Sequence, residues 1–299
     1  MSYPTLDEFL ALPIEEIAKV APASLCYTPG GTRRAAAMMG IDPRSMQYAE
    51  WCLAEEFRSL DVIFRHGVRN VFLGLFKSGT FKHDYSFVDR LVDVALETIT
   101  ADNVFNHYNQ NNWWVRLLCD DRVAKFVETA RLLRNNTTAQ SNKTLYWLTS
   151  QTPTDLIDMA LRTACLHGVS NQKEAIYAMT GDNIEPITML LSFGKPMVSD
   201  EIIPSILTGT VQCYWSQKPG PTLTDQEFRT ILYDYAYTRN TSNFKKGDRA
   251  LEATNYENAW RDGPTLGLGM RLGKSWYPAP MKSAAWEDEP PKANAVVAP

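Results

Sequence analysis

Apolar residues along this chain alternate between short continuous runs and helically spaced stripes, and that alternation predicts its architecture. The run 24–27 is apolar and ends at Pro29-Gly30-Gly31; Asp42-Pro43 then supplies an N-cap and a first-turn proline for a helix. Leu53, Phe57, Leu60 and Phe64 recur at helical spacing as far as Gly67, a residue type that commonly follows a helix end. The next run, "VRNVFLGLF" at 68–76, is apolar almost without a break, as a strand buried on both faces has to be. Strand, helix and strand make a βαβ unit.

The pattern repeats. A helix is predicted over 87–100, a strand over 113–119, a helix over 121–133 and a strand over 144–149. Helices follow over 154–167 and around 173–179, then the buried strands "PITMLLSFGK" and "TVQCYWS". Thr224 and Glu227 have capping-box spacing for a closing helix whose Phe228, Ile231, Leu232 and Tyr235 share one face. Such alternation predicts an α/β fold with a central, mostly parallel sheet flanked by helices. Residues 1–240 are read as a single domain and 241–299 as a C-terminal extension. Its end, "SAAWEDEPPKANAVVAP", reads as disordered from its Pro, Ala and acidic content.

Composition narrows the function classes. With 30 Lys and Arg against 34 Asp and Glu, the net charge is −4, so no basic field is available for nucleic acid or an anionic membrane. The cysteines Cys26, Cys52, Cys119, Cys165 and Cys213 are far apart and form no CxxC pair, which suits reduced thiols packed as small hydrophobes. The first twenty positions carry Asp7, Glu8, Glu15 and Glu16 and lack the basic start and apolar run of a signal peptide; no segment has the length and apolar content of a membrane span. A cytoplasmic protein without stable membrane insertion is the expectation.

Candidate chemistry concentrates in "TPGGTRR". In a parallel sheet, ligands gather where strands end and helices begin, because unpaired amides and the helix dipole there favour anions. Gly30 and Gly31 allow close backbone approach, Thr32 offers a hydroxyl, and Arg33 and Arg34 offer forked donors suited to phosphate oxygens, so the loop is a candidate diphosphate cradle. Against this stands the plain alternative of a Pro-Gly-Gly turn with surface arginines.

Other motifs fall away. The P-loop spacing is absent, there is no G-x-S-x-G elbow, and "GLGMRLG" at 267–273 follows no clear strand and is read as a loop. His66, His83, His107 and His167 have no ligand spacing and are read as helix-end or surface residues; no protein metal site is expected. Asp120-Asp121 is read as a helix cap in preference to a magnesium pair. The rings of "NNWWVRLL", "KTLYWL" and "QCYW" are mostly core, with some available to face an apolar pocket in which π-faces stabilise a cation.

With these segments placed, the chain resembles the cis-prenyltransferase family, undecaprenyl diphosphate synthase and its relatives. Within it, the likeness is to the divergent tuberculosinol and tuberculosinyl adenosine synthase branch. The resemblance rests on "GGTRR" after the first strand, "VIFRHGVRNVFLGLF" from the first helix into the second strand, and "FRTILYDYAYTR" in the closing helix. It spans about 6–239 and implies a cis-prenyltransferase-like fold, an allylic diphosphate at the first loop, an isoprenoid tail in a tunnel beside the sheet, and a homodimer.

By that resemblance Gly31, Thr32, Arg33 and Arg34 match the divergent branch, whereas Gly30 stands where the family has an aspartate that serves magnesium and diphosphate chemistry. Tyr48 falls at the position of a tyrosine that contacts the reacting end, and Lys195 stands near the family's second phosphate-binding cluster, although the arginine motif there is not intact. Tyr85 and Lys77, just beyond the second strand, are further candidates. The lost acid argues against ordinary chain elongation. It leaves ionisation driven by Arg33, Arg34 and Lys195, with magnesium bound mainly through the substrate diphosphate.

The expectation is therefore a terpene synthase or prenyl-transferring enzyme that ionises an allylic prenyl diphosphate and cyclises the cation or delivers it to water or a small nucleophile. In that reading Arg34, Tyr48 and Tyr85 are catalytic, while Gly30, Gly31, Thr32, Arg33, Arg34, Lys77 and Lys195 hold diphosphate. The rivals are a non-catalytic subunit of a heteromeric cis-prenyltransferase and an isoprenoid-binding protein without chemistry. A helical terpene cyclase is disfavoured by the strand content and the absence of DDxxD/E and NSE-like motifs.

Overall fold

The computed structural model describes residues 3–82, 85–139, 141–216, 218, 220–239, 254, 257, 266–273 and 275–278. Two short helices, α1 (Leu6–Leu10) and α2 (Ile14–Ala18), precede β1 (Ser24–Thr28), α3 (Thr32–Met38), α4 (Met46–Arg65) and β2 (Asn70–Phe76). There follow α5 (Tyr85–Ile99), α6 (Asp102–Gln110), β3 (Trp114–Leu118), α7 (Ala124–Asn136) and β4 (Thr144–Thr149). The chain continues through α8 (Asp155–His167), α9 (Gln172–Thr180), β5 (Ile187–Phe193), β6 (Thr208–Ser216) and α10 (Asp225–Tyr233). A hairpin of β7 (Gly269–Leu272) and β8 (Ser275–Pro278) lies beyond.

Strands β1 to β6 form one sheet in the order β3-β4-β2-β1-β5-β6, every pair parallel. A parallel sheet needs cover on both faces, and side-chain alternation along each strand divides that cover in two. Tyr27, Leu73 and Trp147 point into a core shared with α4, α5, α6, α7 and α10, while their neighbours Cys26, Phe72 and Tyr146 pack against α8 and α9. The predicted fold class holds, and the predicted strands overlap those observed.

Local chemistry explains the helix limits. The Ser45 hydroxyl accepts from the Tyr48 amide at 3.2 Å and starts α4; Asp42, expected as that cap, instead accepts from the Arg44 amide at 3.0 Å in the turn before it. Helix α4 ends before Gly67, whose φ of +98° and backbone packing on Ala18 exclude a side chain. The capping box at the start of α10 is formed, with the Thr224 amide donating to Glu227 at 3.0 Å and the Glu227 amide to Thr224 at 3.2 Å. Arg229 on α10 donates to the carbonyls of Leu10 and Leu12, both at 2.9 Å, tying the start of the described chain to its closing helix.

Some expectations need correction. "GLGMRLG" contributes β7, because Gly269 leaves the space that the Trp276 indole of β8 fills. Asp120 does not cap α7, whose first flanking residue is Val123; it accepts from the Arg122 amide and side chain and from Arg162. That hydrogen-bonded arginine holds the Asp120 carboxyl down at about 2. His66 sits at the end of α4 as expected but is fully buried, and helices α3 and α6 were not anticipated. The segment expected to be disordered, 283–299, lies outside the described residues. Among the described residues, no helix is long and apolar enough to cross a membrane.

Candidate active site

Strand order reverses at β1: the chain leaves it towards β2 on one side, and β5 arrives on the other. In parallel sheets the helices connecting diverging strands part at such a point and leave a crevice beyond the strand ends. The residues at that crevice are those after β1 and after β5, which puts "TPGGTRR" beside "FGK".

The two loops touch at one residue. Any Cβ on Gly30 would run into the carbonyl oxygen of Phe193, the last residue of β5, and the Gly30 carbonyl accepts from the Gly220 amide at 2.6 Å. The segment after Gly220 is in turn fastened down: Tyr27 and Ser59 hydroxyls donate to the Pro221 carbonyl, and the Leu223 amide donates to Ser59 at 3.1 Å. Gly30 is thus held on both sides by backbone. The place of the family's aspartate has no room for a carboxylate.

Gly31 turns the chain into α3 with φ +74°, a conformation that glycine takes without strain, and its carbonyl accepts from the amides of Arg34 at 2.9 Å and Ala35 at 3.1 Å. The Thr32 and Arg33 amides, at the first helical positions, have no acceptor within the helix. Arg33 is exposed and Arg34 partly so, both on this first turn. Lys195 is exposed two residues beyond Phe193.

A polar seam leads inward from Thr32. Its hydroxyl lies 2.7 Å from the Tyr48 hydroxyl on α4, and the Cys52 thiol stands one turn further along that helix, close enough to influence the titration of Tyr48. Half-burial raises the titration of Tyr48, offset in part by Thr32 and by the positive Arg33. Burial likewise pushes the Cys52 thiol up. One more turn along the same face stands Glu56, which forms no hydrogen bond or ion pair with the described residues and whose carboxyl is pushed up to about 7 by burial alone. Sequence reading passed over Cys52 and Glu56; the signal available was their spacing of four and eight residues from Tyr48.

The remaining candidates lie elsewhere or are described in part. Lys77 follows β2 on the opposite face of the sheet, near the Cys26 thiol and the Glu201 carboxylate; burial lowers its titration and those two groups oppose the shift. For Tyr85 the structure describes the backbone at the start of α5 and not the side chain. The loop does not fit a protein-held magnesium, since 28–34 contains no carboxylate and Gly30 admits none. Among the described residues no three His, Cys, Asp or Glu side chains gather into a cation site.

A second space lies at the sheet edge. A cavity of about 1650 Å³ is lined by Leu191 and Phe193 of β5, Tyr214 and Trp215 of β6, and Thr230 and Ile231 of α10. None of the residues from Gly30 to Arg34 lines it.

No protein-family model matches the chain. It is 33% identical over 276 residues to (+)-kolavelool synthase of Herpetosiphon aurantiacus, covering 92% of this chain and 96% of that one. Tuberculosinyl adenosine transferase of Mycobacterium tuberculosis is 21% identical over 248 residues, 78% of this chain and 83% of its own. In structure, the fold is similar to lavandulyl diphosphate synthase of Lavandula x intermedia, solved in complex with dimethylallyl diphosphate, with a TM-score of 0.57 at 11% identity over 73% of this chain and 97% of that one. A probable undecaprenyl diphosphate synthase of Campylobacter jejuni gives 0.54 at 17% identity, over 74% and 97%.

Proposed function

Because this chain belongs to the divergent cis-prenyltransferase-like family represented by (+)-kolavelool synthase, we propose that it ionises an allylic prenyl diphosphate beside the loop after β1 and quenches the cation by cyclisation or by transfer to water or a small nucleophile. It is an enzyme of prenyl diphosphates, a terpene synthase or prenyltransferase. The observation that supports the finer reading is the meeting of Gly30 with Phe193 at the strand-order reversal, which gathers hydrogen-bond donors and excludes an acid.

In this reading the Thr32 hydroxyl, the Thr32 and Arg33 amides and the Arg33 and Arg34 side chains bind the diphosphate, with Lys195 approaching from the β5 side. The allylic C–O bond breaks and its electron pair leaves on the diphosphate. Donors fixed in advance around that growing charge stabilise the transition state more than the bound substrate. Magnesium carried by the substrate diphosphate would neutralise part of the same charge, and the protein residues bind and orient without it. The Tyr48 ring faces the cation with its π-surface and its hydroxyl is held by Thr32.

We further infer a homodimer. Among the described residues strand β6 is a sheet edge, with Trp215 39% exposed beside the apolar cavity, and a second copy would cover it. Light scattering after size exclusion should return twice the 33.8 kDa chain mass.

Incubation with geranyl, farnesyl and geranylgeranyl diphosphates, with magnesium and with EDTA, tests the reaction. A new hydrocarbon or alcohol together with pyrophosphate is the expected result; intact substrate in every incubation would contradict it.

A further inference from the structure

Glu56 occupies an unusual position for a glutamate. It lies in the middle of α4, on the side turned to the sheet, where Leu60 and Ile63 are fully buried. Its surface is only partly accessible, between that of the buried Glu55 and the exposed Arg58 beside it on the helix. A carboxyl held there without a hydrogen-bond partner among the described residues is costly.

The titratable groups facing it are Cys52 on its own helix, Tyr27 on β1 and Tyr108 on α6. No cation among the described residues opposes its burial. Tyr27 is already engaged with Pro221, and the buried Tyr108 hydroxyl has the Trp147 side chain as its neighbour. Helical rise sets Glu56 about 12 Å deeper than Tyr48, with Cys52 midway between them on adjoining turns. Thr32, Tyr48, Cys52 and Glu56 therefore form one line of proton-carrying groups from the first loop to the interior.

We propose that Glu56 is the terminal proton acceptor of this line, a residue that acts through Tyr48 without touching the reacting carbon. The inference rests on the prenyl diphosphate reading above. After the C–O bond to diphosphate breaks, water adds to the carbocation and a new C–O bond forms. The resulting oxonium gives a proton to the Tyr48 oxygen as Tyr48 passes its own to the Cys52 sulfur. Cys52 passes its proton to the Glu56 carboxylate one turn further along α4, directly or through one bridging water. The products are a neutral alcohol, free diphosphate and a Glu56 carboxylic acid, which returns its proton to solvent before the next turnover. Tyr48 alone is a poor base because burial disfavours its phenolate; the carboxylate at the end of the line removes the need to form one.

The test is steady-state pyrophosphate release by wild type, Glu56→Gln and Cys52→Ala from about pH 5.5 to about pH 8.5, with thermal melting of each. Wild-type kcat should rise through the neutral range as the carboxylate forms. Glu56→Gln should lose that limb and about 100-fold in kcat, with KM unchanged and melting no lower, because the amide removes a buried charge. Cys52→Ala should lower kcat in the same direction while Glu56 remains. Wild-type kcat and pH profile in both variants would overturn the relay and leave the prenyl diphosphate reading standing. No pyrophosphate release by wild type from any prenyl diphosphate would overturn both.

Discussion

Gly30 and Phe193 are in direct backbone contact: the Cα of one faces the carbonyl oxygen of the other so closely that no side chain fits between them. The contact joins the strand ends on either side of the order reversal. It gives the missing acid a physical meaning, since the position is closed and not merely vacated.

Restoring the family residue should therefore fail. Gly30→Asp forces β1 and β5 apart and places a carboxylate against a carbonyl, with an expected loss of about 3 kcal/mol or more. Denaturant melts should show a lower midpoint, and magnesium should not raise it. A variant as stable as wild type would mean that the loop re-forms around the new side chain.

The Thr32–Tyr48 hydrogen bond separates ring from hydroxyl. Tyr48→Phe keeps the π-face and removes the O–H, so kcat should fall about 100-fold while stability changes by about 1 kcal/mol. Steady-state kinetics with thermal melts check both. A variant with wild-type kcat would confine Tyr48 to a role as a ring.

Glu56 makes stability depend on pH with a definite sign. Its folded-state titration near 7 lies above its ordinary 4.5, so the native state favours the protonated form. No penalty exists below the ordinary value; stability is lost as pH rises through about 7, to a limit of about 3 kcal/mol. Glu56→Gln should melt higher than wild type at pH 8 and equally at pH 4, as read by melting across that range.

Asp120 has the opposite sign. The Arg122 hydrogen bonds hold it near 2, so its contribution is present above its ordinary 3.8 and disappears as pH falls towards 2. The full shift corresponds to about 2 kcal/mol, and solvent screening of the exposed Arg122 reduces it to about 1 kcal/mol. Asp120→Asn should lose that amount at pH 7 and almost nothing at pH 2, measured by urea unfolding at both.

The sheet was legible because a strand buried on both faces has little choice of residue: 68–76, 144–149 and 186–195 are nearly continuous in apolar residues. The closing helix was legible because Thr224 and Glu227 carry a cap at fixed spacing. Helix α3 was not, since Ala35, Ala36 and Ala37 draw no apolar stripe and its cap is Gly31 in place of a Ser, Thr, Asp or Asn. The start of α4 was displaced because Asp42-Pro43 resembles a cap while Ser45 supplies it.

For the site, "TPGGTRR" and Tyr48 stood out, and the structure joins them through Thr32. Lys77 stood out as well but lies on the other face of the sheet, a difference set by one step of strand alternation. Glu56 escaped notice because a glutamate in a helix is ordinarily solvated, and its place on α4 one turn before the buried Leu60 shows only once the helix is packed on the sheet.

The central claim is that the donors of the loop after β1, and not a protein carboxylate, hold the departing diphosphate. Pyrophosphate release by Arg34→Ala, beside wild type and with the melting transition of both recorded, tests it most directly. The Arg34→Ala variant should lose at least about 100-fold while its melting transition shows it folded. Release at the wild-type rate would contradict it.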